Sequence, residues 1–448
     1  MLTRLDTTTS DFEERLEQLR KKLSPDGTVV SERSTRLTMS LFGQALSPQE
    51  VVERICQDVQ KGKTQAVLKY ARVLDDPNIV AERLRVPCDR MAAAHGSVSE
   101  EFLRSVRQIR SNVERFQRAI LHKDVEVSDG NGSLLKQRYT PLARIGICVP
   151  GGAAAYPSTV LMTAVPALVA GVREIAVMAP PTPFGAYNPE VLATCHELGI
   201  QEVYAVGGAQ GIASLAYGIP EIPAVDMIVG PGNLFVALAK RLVYGTVAID
   251  SIAGPSEVIV IADRSTKPRY AASDLIAQAE HSPGSSIVLS AHGEVLDAID
   301  RELESQLQTL QRADLARTSL IEFGASIRCG SDQEVIEICD RLAPEHLQIS
   351  VDHPDTFSSR IRNAGAIFKG HYSPVALGDY AAGPSHVLPT GGTARWASGL
   401  SANHFLRSYS EVEFSLEALR NIEPCVSQLA DKEGLTAHRE SVKIRLQS

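Results

Sequence analysis

Between residues 145 and 368 one alternation repeats, and it limits the fold to a narrow class. Short apolar runs, rich in Val and Ile, take turns with longer stretches of helical character. The apolar runs are 145–149, 174–179, 202–206 and 226–229, then 258–262, 286–290, 320–323, 346–351 and 366–368. Helical stretches fall at 158–170, after the cap Asn188-Pro189, and near 269–281, 293–309, 332–341 and 354–362. Apolar strands alternating with helices predict parallel βαβ units. Residues 145 to about 250 read as one doubly wound α/β domain. The turn Ala253-Gly254-Pro255-Ser256 leads into a second α/β domain.

The flanks read as helical. Ser10-Asp11-Phe12-Glu13 has the form of a capping box ahead of a charged run to Lys22. With Leu16 and Leu19 as its main apolar side chains, this helix is too polar for a core and is expected to pack as an arm. Ser47-Pro48-Gln49-Glu50 is a second capping box, and Gly62 should end its helix. Helices at 64–74 and 100–121 follow, then the turn Asp129-Gly130-Asn131-Gly132 and a strand at 134–139. The helices before residue 140 need a partner for their apolar faces and are assigned to the second domain. The tail from Ser401 reads as helices at 416–420, 425–432 and 436–445.

Composition narrows the function. The chain has 448 residues and a net charge of -8, which argues against nucleic acid or an anionic membrane as partner. The N-terminal sequence lacks the apolar segment of a secretory signal, and no stretch is apolar enough to span a bilayer. Seven cysteines with no C-x-x-C suit a reducing cytosol and exclude a thiolate zinc site. A cytoplasmic location is expected.

Three glycine turns stand out: Pro150-Gly151-Gly152, Val206-Gly207-Gly208-Ala209-Gln210-Gly211 and Gly230-Pro231-Gly232-Asn233. None is a G-x-G-x-x-G fingerprint. Each follows an apolar run and precedes a helix, where doubly wound sheets bind ligands. A single such turn is explained by backbone geometry alone. Three in one domain point to a nucleotide or phosphate site.

Four further motifs carry candidate chemistry. On the helix 269–281, which Pro283 and Gly284 should stop, Asp274, Gln278 and His281 share one face at i, i+4, i+7. A solvated face with a His at the helix C-terminus explains that spacing equally well. Ala343-Pro344-Glu345-His346-Leu347 places a Glu-His pair at the start of a strand, which by spacing alone reads first as a surface ion pair. Gly378-Asp379-Tyr380-Ala381 is followed by Ser385-His386-Val387-Leu388-Pro389-Thr390. Glu433-Gly434-Leu435-Thr436-Ala437-His438 would by itself pass for a helix end and an exposed His.

Together with the stretch IDSIAGPSEVIVIADRSTKPRYAASDLIAQAEH (249–281), these motifs resemble the histidinol dehydrogenase family over nearly the whole chain. The resemblance implies an α/β fold of two Rossmann-like doubly wound domains with helical N- and C-terminal arms, exchanged between the subunits of a homodimer. The division expected is an arm at 1–40, one domain from 41–144 with 257–400, an NAD-binding domain at 145–256, and an arm at 401–448. The implied zinc ligands are Gln278, His281, Asp379 and His438, an N/O set that leaves room for substrate. Glu345 and His346 are the implied catalytic pair. Ser256, His346, His386 and Glu433, with the four metal ligands, are implied on the substrate side. Gln210 and Asn233 match NAD contacts. Cys148 stands where the family usually has Tyr, and Ser385 where it usually has Asn. Glu433 and His438 are implied to serve the partner subunit's site.

The implied reaction takes L-histidinol through histidinal to L-histidine in two NAD-dependent hydride transfers. Two alternatives stay open. One is oxidation of another alcohol, such as sulfopropanediol, against which the carboxylate of Glu433 speaks because it would repel a sulfonate. The other is a zinc-binding relative without chemistry, for which Cys148 is the one hint.

Overall fold

The computed structural model describes residues 1–23, 32–44, 46–152, 154–281 and 284–447. Pro283, expected to help stop a helix, lies outside them. In chain order the strands are β1 (Thr3–Asp6), β2 (Val125–Ser128), β3 (Ser133–Pro141), β4 (Arg144–Cys148), β5 (Glu174–Ala179), β6 (Glu202–Ala205), β7 (Met227–Val229), β8 (Ala248–Ile249), β9 (Ser256–Ile261), β10 (Gly284–Ser290), β11 (Ala325–Arg328), β12 (His346–Ile349), β13 (Ala366–Lys369) and β14 (Leu406–Phe414).

Two of the three sheets are parallel throughout. The first runs β6-β5-β4-β7-β8 and the second β1-β11-β10-β9-β12-β13. With β1 set aside, both share one order: third strand, second, first, fourth, fifth. That is the doubly wound order of a Rossmann-like unit. Every residue of β4 and β10 is buried, which is why these strands read as apolar runs without alternation.

The helices before residue 140 cover the first sheet, not the second as the sequence suggested. Val51, Ile55, Val59 and Val67 of the helix Pro48–Leu74 share a core with Cys148, Met178 and Tyr204 on one face. Val106 and Val113 of Glu100–Ile120 join Ile145, Ile147 and Val177 on the other. Apolar stripes show that a helix needs a partner without saying which sheet supplies it.

The N-terminal helix, expected to be too polar for a core and to pack as an arm, does bury apolar side chains within its own chain. Thr3–Asp6 pairs with β11 as an edge strand, and Phe12, Leu16 and Leu19 are buried against the second sheet. Three apolar contacts at i, i+4, i+7 suffice to dock an otherwise polar helix. That helix starts at Phe12, inside the capping box proposed from Ser10. Glu32–Phe42 is a further helix, placed against the first domain through Leu41 and Phe42.

Three local readings need correction. Residues 320–323 are helix, not strand: Ala316, Ser319 and Leu320 turn one face of Ala313–Phe323 inward, and the strand is β11 after Gly324. The break expected at Gly62 falls at Lys63, with φ 48° and ψ -132°, inside Pro48–Leu74. The tail is not wholly helical from Ser401. β14 pairs antiparallel with β3, which pairs with β2, and the next helix runs unbroken over Leu416–Lys432 through Pro424.

The chain passes from β8 to β9 through only six residues, 250–255. The carboxyl end of the first sheet is thereby tied to the amino end of the second. The segment after β13 returns to the first domain: Ser385 Oγ donates to Met162 O at 2.7 Å, and Val387, Leu400 and Phe405 enter its core.

Candidate active site

At the carboxyl end of the first sheet the three glycine turns surround a cavity of about 510 Å3. Its walls include Cys148, Gly151, Gly152, Gly207, Gly208, Gln210, Gly232 and Asn233, with Asp75 from the end of Pro48–Leu74. This is the switch point, where β4 and β7 part to opposite sides. Asn233 caps the helix Leu234–Val243, its Oδ1 accepting from Val236 N at 3.1 Å. Gln210 is fully buried, and its Oε1 has no partner among the described residues. An unpaired buried acceptor beside three backbone turns fits a ligand that brings hydrogen-bond donors. Burial pushes the Cys148 thiol up to about 12, so this wall is neutral and lacks an aromatic ring at that position. Below the third turn, Lys240 forms a buried ion pair with Asp250. Lys240 Nζ also donates to Gly230 O at 3.0 Å, and Gly230 N donates to Asp250 at 2.7 Å.

The second cluster sits at the amino ends of β9 and β12. Glu345 Oε2 accepts from Ser256 Oγ at 2.5 Å and from Glu257 N at 3.0 Å. Ser256 Oγ in turn accepts from Gln278 Nε2 at 2.7 Å. With its N–H2 end so engaged, Gln278 keeps its carbonyl oxygen as the end suited to a cation. His346 Nδ1 lies 3.3 Å from the carbonyl of Glu257, and its Nε2 lies 3.7 Å from Asp379 Oδ1. A carbonyl can only accept, so this contact puts a proton on Nδ1.

His386 Nδ1 meets the carbonyl of Asp379 at 2.9 Å. Burial pushes the His386 imidazole below its ordinary value, and the imidazoles of His346 and His281 add to this against the pull of Asp379. This favours the neutral ring over the charged one.

Ser256, Gln278, Glu345, His346, Asp379 and His386 thus come together, with His281 within electrostatic reach of His386. Glu433 and His438 do not. Both are exposed on the C-terminal tail, and among the described residues neither side chain bonds to the cluster. Of the four expected metal ligands, Gln278 joins this network through Ser256, and Asp379 through His346 and His386. Exposed His281 is tied to it only by its electrostatic effect on His386. Among the described residues no group of three His, Cys, Asp or Glu side chains is placed to hold a metal ion.

Sequence reasoning missed Glu257. Its carboxylate accepts from Glu345 N at 3.3 Å and from Gly391 N at 3.0 Å. Burial first, and Glu345 second, push it up to about 8. A lone carboxylate in the run Ser-Glu-Val-Ile-Val-Ile was the signal available. Asp75 and the Lys240–Asp250 pair gave no comparable sign.

The chain is similar to known proteins over nearly its whole length. The profile described as histidinol dehydrogenase matches residues 43–446. The chain belongs to the histidinol dehydrogenase family. Histidinol dehydrogenase of Rhodopirellula baltica is 57% identical over 440 residues, 98% of this chain and 96% of that one. The enzyme of Lactococcus lactis is 40% identical over 436 residues, 97% of this chain and 98% of its own. The crystal structure of histidinol dehydrogenase from Elizabethkingia anophelis superposes with a TM-score of 0.89 at 31% identity, covering 100% of this chain and 98% of that one. Membership of the histidinol dehydrogenase family accounts for the paired Rossmann-like sheets. Among the described residues no helix is long and apolar enough to cross a membrane.

Proposed function

We propose that this member of the histidinol dehydrogenase family, an NAD-dependent oxidoreductase of histidine biosynthesis, converts L-histidinol to L-histidine in the cytoplasm, at a site shared between two subunits. The observation that carries the reading is the buried imidazole of His346, its Nδ1 3.3 Å from the Glu257 carbonyl and its Nε2 3.7 Å from Asp379, beside Glu345.

Zinc, held by Gln278, His281 and Asp379 with His438 of the partner subunit, would supply a fixed anchor for the substrate's amine and imidazole. The glycine turns with Gln210 and Asn233 would hold NAD, which would supply the hydride acceptor. The chain's own residues do the proton work. His346 Nε2 removes the hydroxyl proton as the carbinol hydrogen leaves as hydride, giving the aldehyde. Glu345 keeps Oε2 on Ser256 and Glu257 and turns Oε1 to a water, whose proton it accepts as the hydroxyl adds to the aldehyde. His346, having returned its first proton to the aldehyde oxygen as the hydroxyl added, takes one hydroxyl proton of the hydrate at Nε2 as the second hydride departs, leaving a carboxylic acid that ionises to the carboxylate. Burial of both residues keeps bulk water from competing with the added one. Glu433 of the partner subunit suits a cationic amine better than an anionic substrate.

The test is stoichiometric. Purified protein of known zinc content is given limiting L-histidinol with excess NAD, and two NADH per histidinol are expected. One NADH, or turnover of sulfopropanediol in preference to histidinol, would overturn the reading.

A further inference from the structure

The turn that closes one side of the nucleotide cavity holds a polar pair with no role in the chemistry above. Asp75 ends the helix Pro48–Leu74, its N–H donating to Ala71 O at 2.8 Å. Its carboxylate accepts from Gln210 Nε2 at 2.9 Å and from the backbone N–H of Gly207. Both side chains line the cavity. Gln210 is fully buried, yet its Oε1 has no partner among the described residues.

A carboxylate has no proton to donate, so its bond to Gln210 fixes which end of the amide points where. The N–H2 end is held on Asp75 and the oxygen is turned away from it. That oxygen lies over Gly208, whose φ is +63° and where an added Cβ would stand 2.8 Å from it. Burial pushes the Asp75 carboxyl up to about 6, which leaves it mostly ionised at neutral pH.

We propose that Asp75 is a positioning residue for the dinucleotide: it holds Gln210 by its N–H2 end and so presents Gln210 Oε1 as a fixed acceptor for an N–H or O–H group of NAD. This rests on the NAD reading of the cavity. It gives the unpaired oxygen a partner, and it gives a reason for a helix from the first hundred residues to end at the glycine turn.

The experiment is a mutant cycle read as NAD affinity of the zinc-loaded protein by calorimetry, without turnover. Gln210→Ala should weaken NAD about tenfold, the loss expected for one well-made buried bond. Asp75→Ala should weaken it to a similar extent. Because Asp75 acts through Gln210, the double variant should bind no more weakly than Gln210→Ala alone. Asp75→Asn keeps the shape but lets the two amides pair either way round, and should lose affinity several-fold at an unchanged melting temperature. That variant carries the test if Asp75→Ala does not fold. Unchanged affinity in the Asp75 variants, or losses that multiply in the double variant, would overturn the proposal. If the unaltered protein binds no NAD, the cofactor reading itself falls, and this inference with it.

Discussion

Glu257 and Glu345 clasp each other. The backbone N–H of Glu257 donates to the carboxylate of Glu345 at 3.0 Å, and the backbone N–H of Glu345 donates to the carboxylate of Glu257 at 3.3 Å. The exchange bridges β9 and β12, on which the candidate base His346 also sits. Two carboxylates so close and so buried do not both ionise readily, and burial with the Glu345 charge raises Glu257 from its ordinary 4.5 to about 8. Between those values the folded protein holds a proton that the unfolded chain has lost. Stability therefore falls as pH rises from about 4.5 to about 8, by the linkage relation. Glu257→Gln cannot titrate. Its urea midpoint, measured across pH 5 to 8, should fall less steeply than that of the unaltered protein. An identical slope in the two proteins would place the proton elsewhere.

His346 is the proposed base, and its Nε2 lies 3.7 Å from Asp379, one of the proposed metal ligands. His346→Asn retains a side chain able to donate to the Glu257 carbonyl but offers no basic nitrogen. Loss of a general base typically costs about 10²- to 10⁴-fold in rate. The zinc content of His346→Asn, by elemental analysis, should stay within error of the unaltered protein while kcat drops by that factor. A variant that keeps most of its kcat would move the base to another residue.

Much of this molecule was legible in its sequence, and the failures share one cause. The apolar runs of β4, β5, β9 and β10 announced buried parallel strands because each is covered on both faces. The motif around Glu345-His346 was recognisable through family resemblance, since its spacing alone suits a surface ion pair. What stayed hidden is partnership between distant segments. The stripe on Pro48–Leu74 says that the helix is covered, not that Cys148 and Met178 cover it. Asp75 looks like any acidic residue at a helix end until Gln210, 135 residues away, is brought against it. Leu320 sits in an apolar run that satisfies a strand or a helix equally, and only the sheet beneath decides.

The buried pair Lys240–Asp250 ties the Gly230 turn to the start of the linker between the domains. Both side chains are nearly inaccessible, at 2% and 3% exposure. Lys240→Met would leave the Asp250 carboxylate buried and alone, a loss of about 3–5 kcal/mol. Replacing both, as Lys240→Met with Asp250→Leu, removes the stranded charge and should recover much of that in a urea titration. NAD affinity should not recover with it, since Gly230 has then lost both the Lys240 donor and the Asp250 acceptor. If stability and NAD binding return together, the pair serves the core alone.

The placement of His438 gives the sharpest test of a shared site. In one chain it is exposed on the helix Thr436–Lys443, apart from Gln278, His281 and Asp379. If it completes the metal site of the partner subunit, a His346→Asn chain and a His438→Asn chain fail for different reasons. A dimer of one of each holds one site with both defects and one site with neither. Coexpressed in equal amounts with different tags, the two chains pair at random and half of the dimers are mixed. Activity should then return to about a quarter of the unaltered level, by the symmetry of a two-fold dimer. It should copurify through both tags in succession, at one zinc for each restored site. If doubly tagged dimers are recovered but remain inactive, each chain builds its own site and His438 belongs elsewhere.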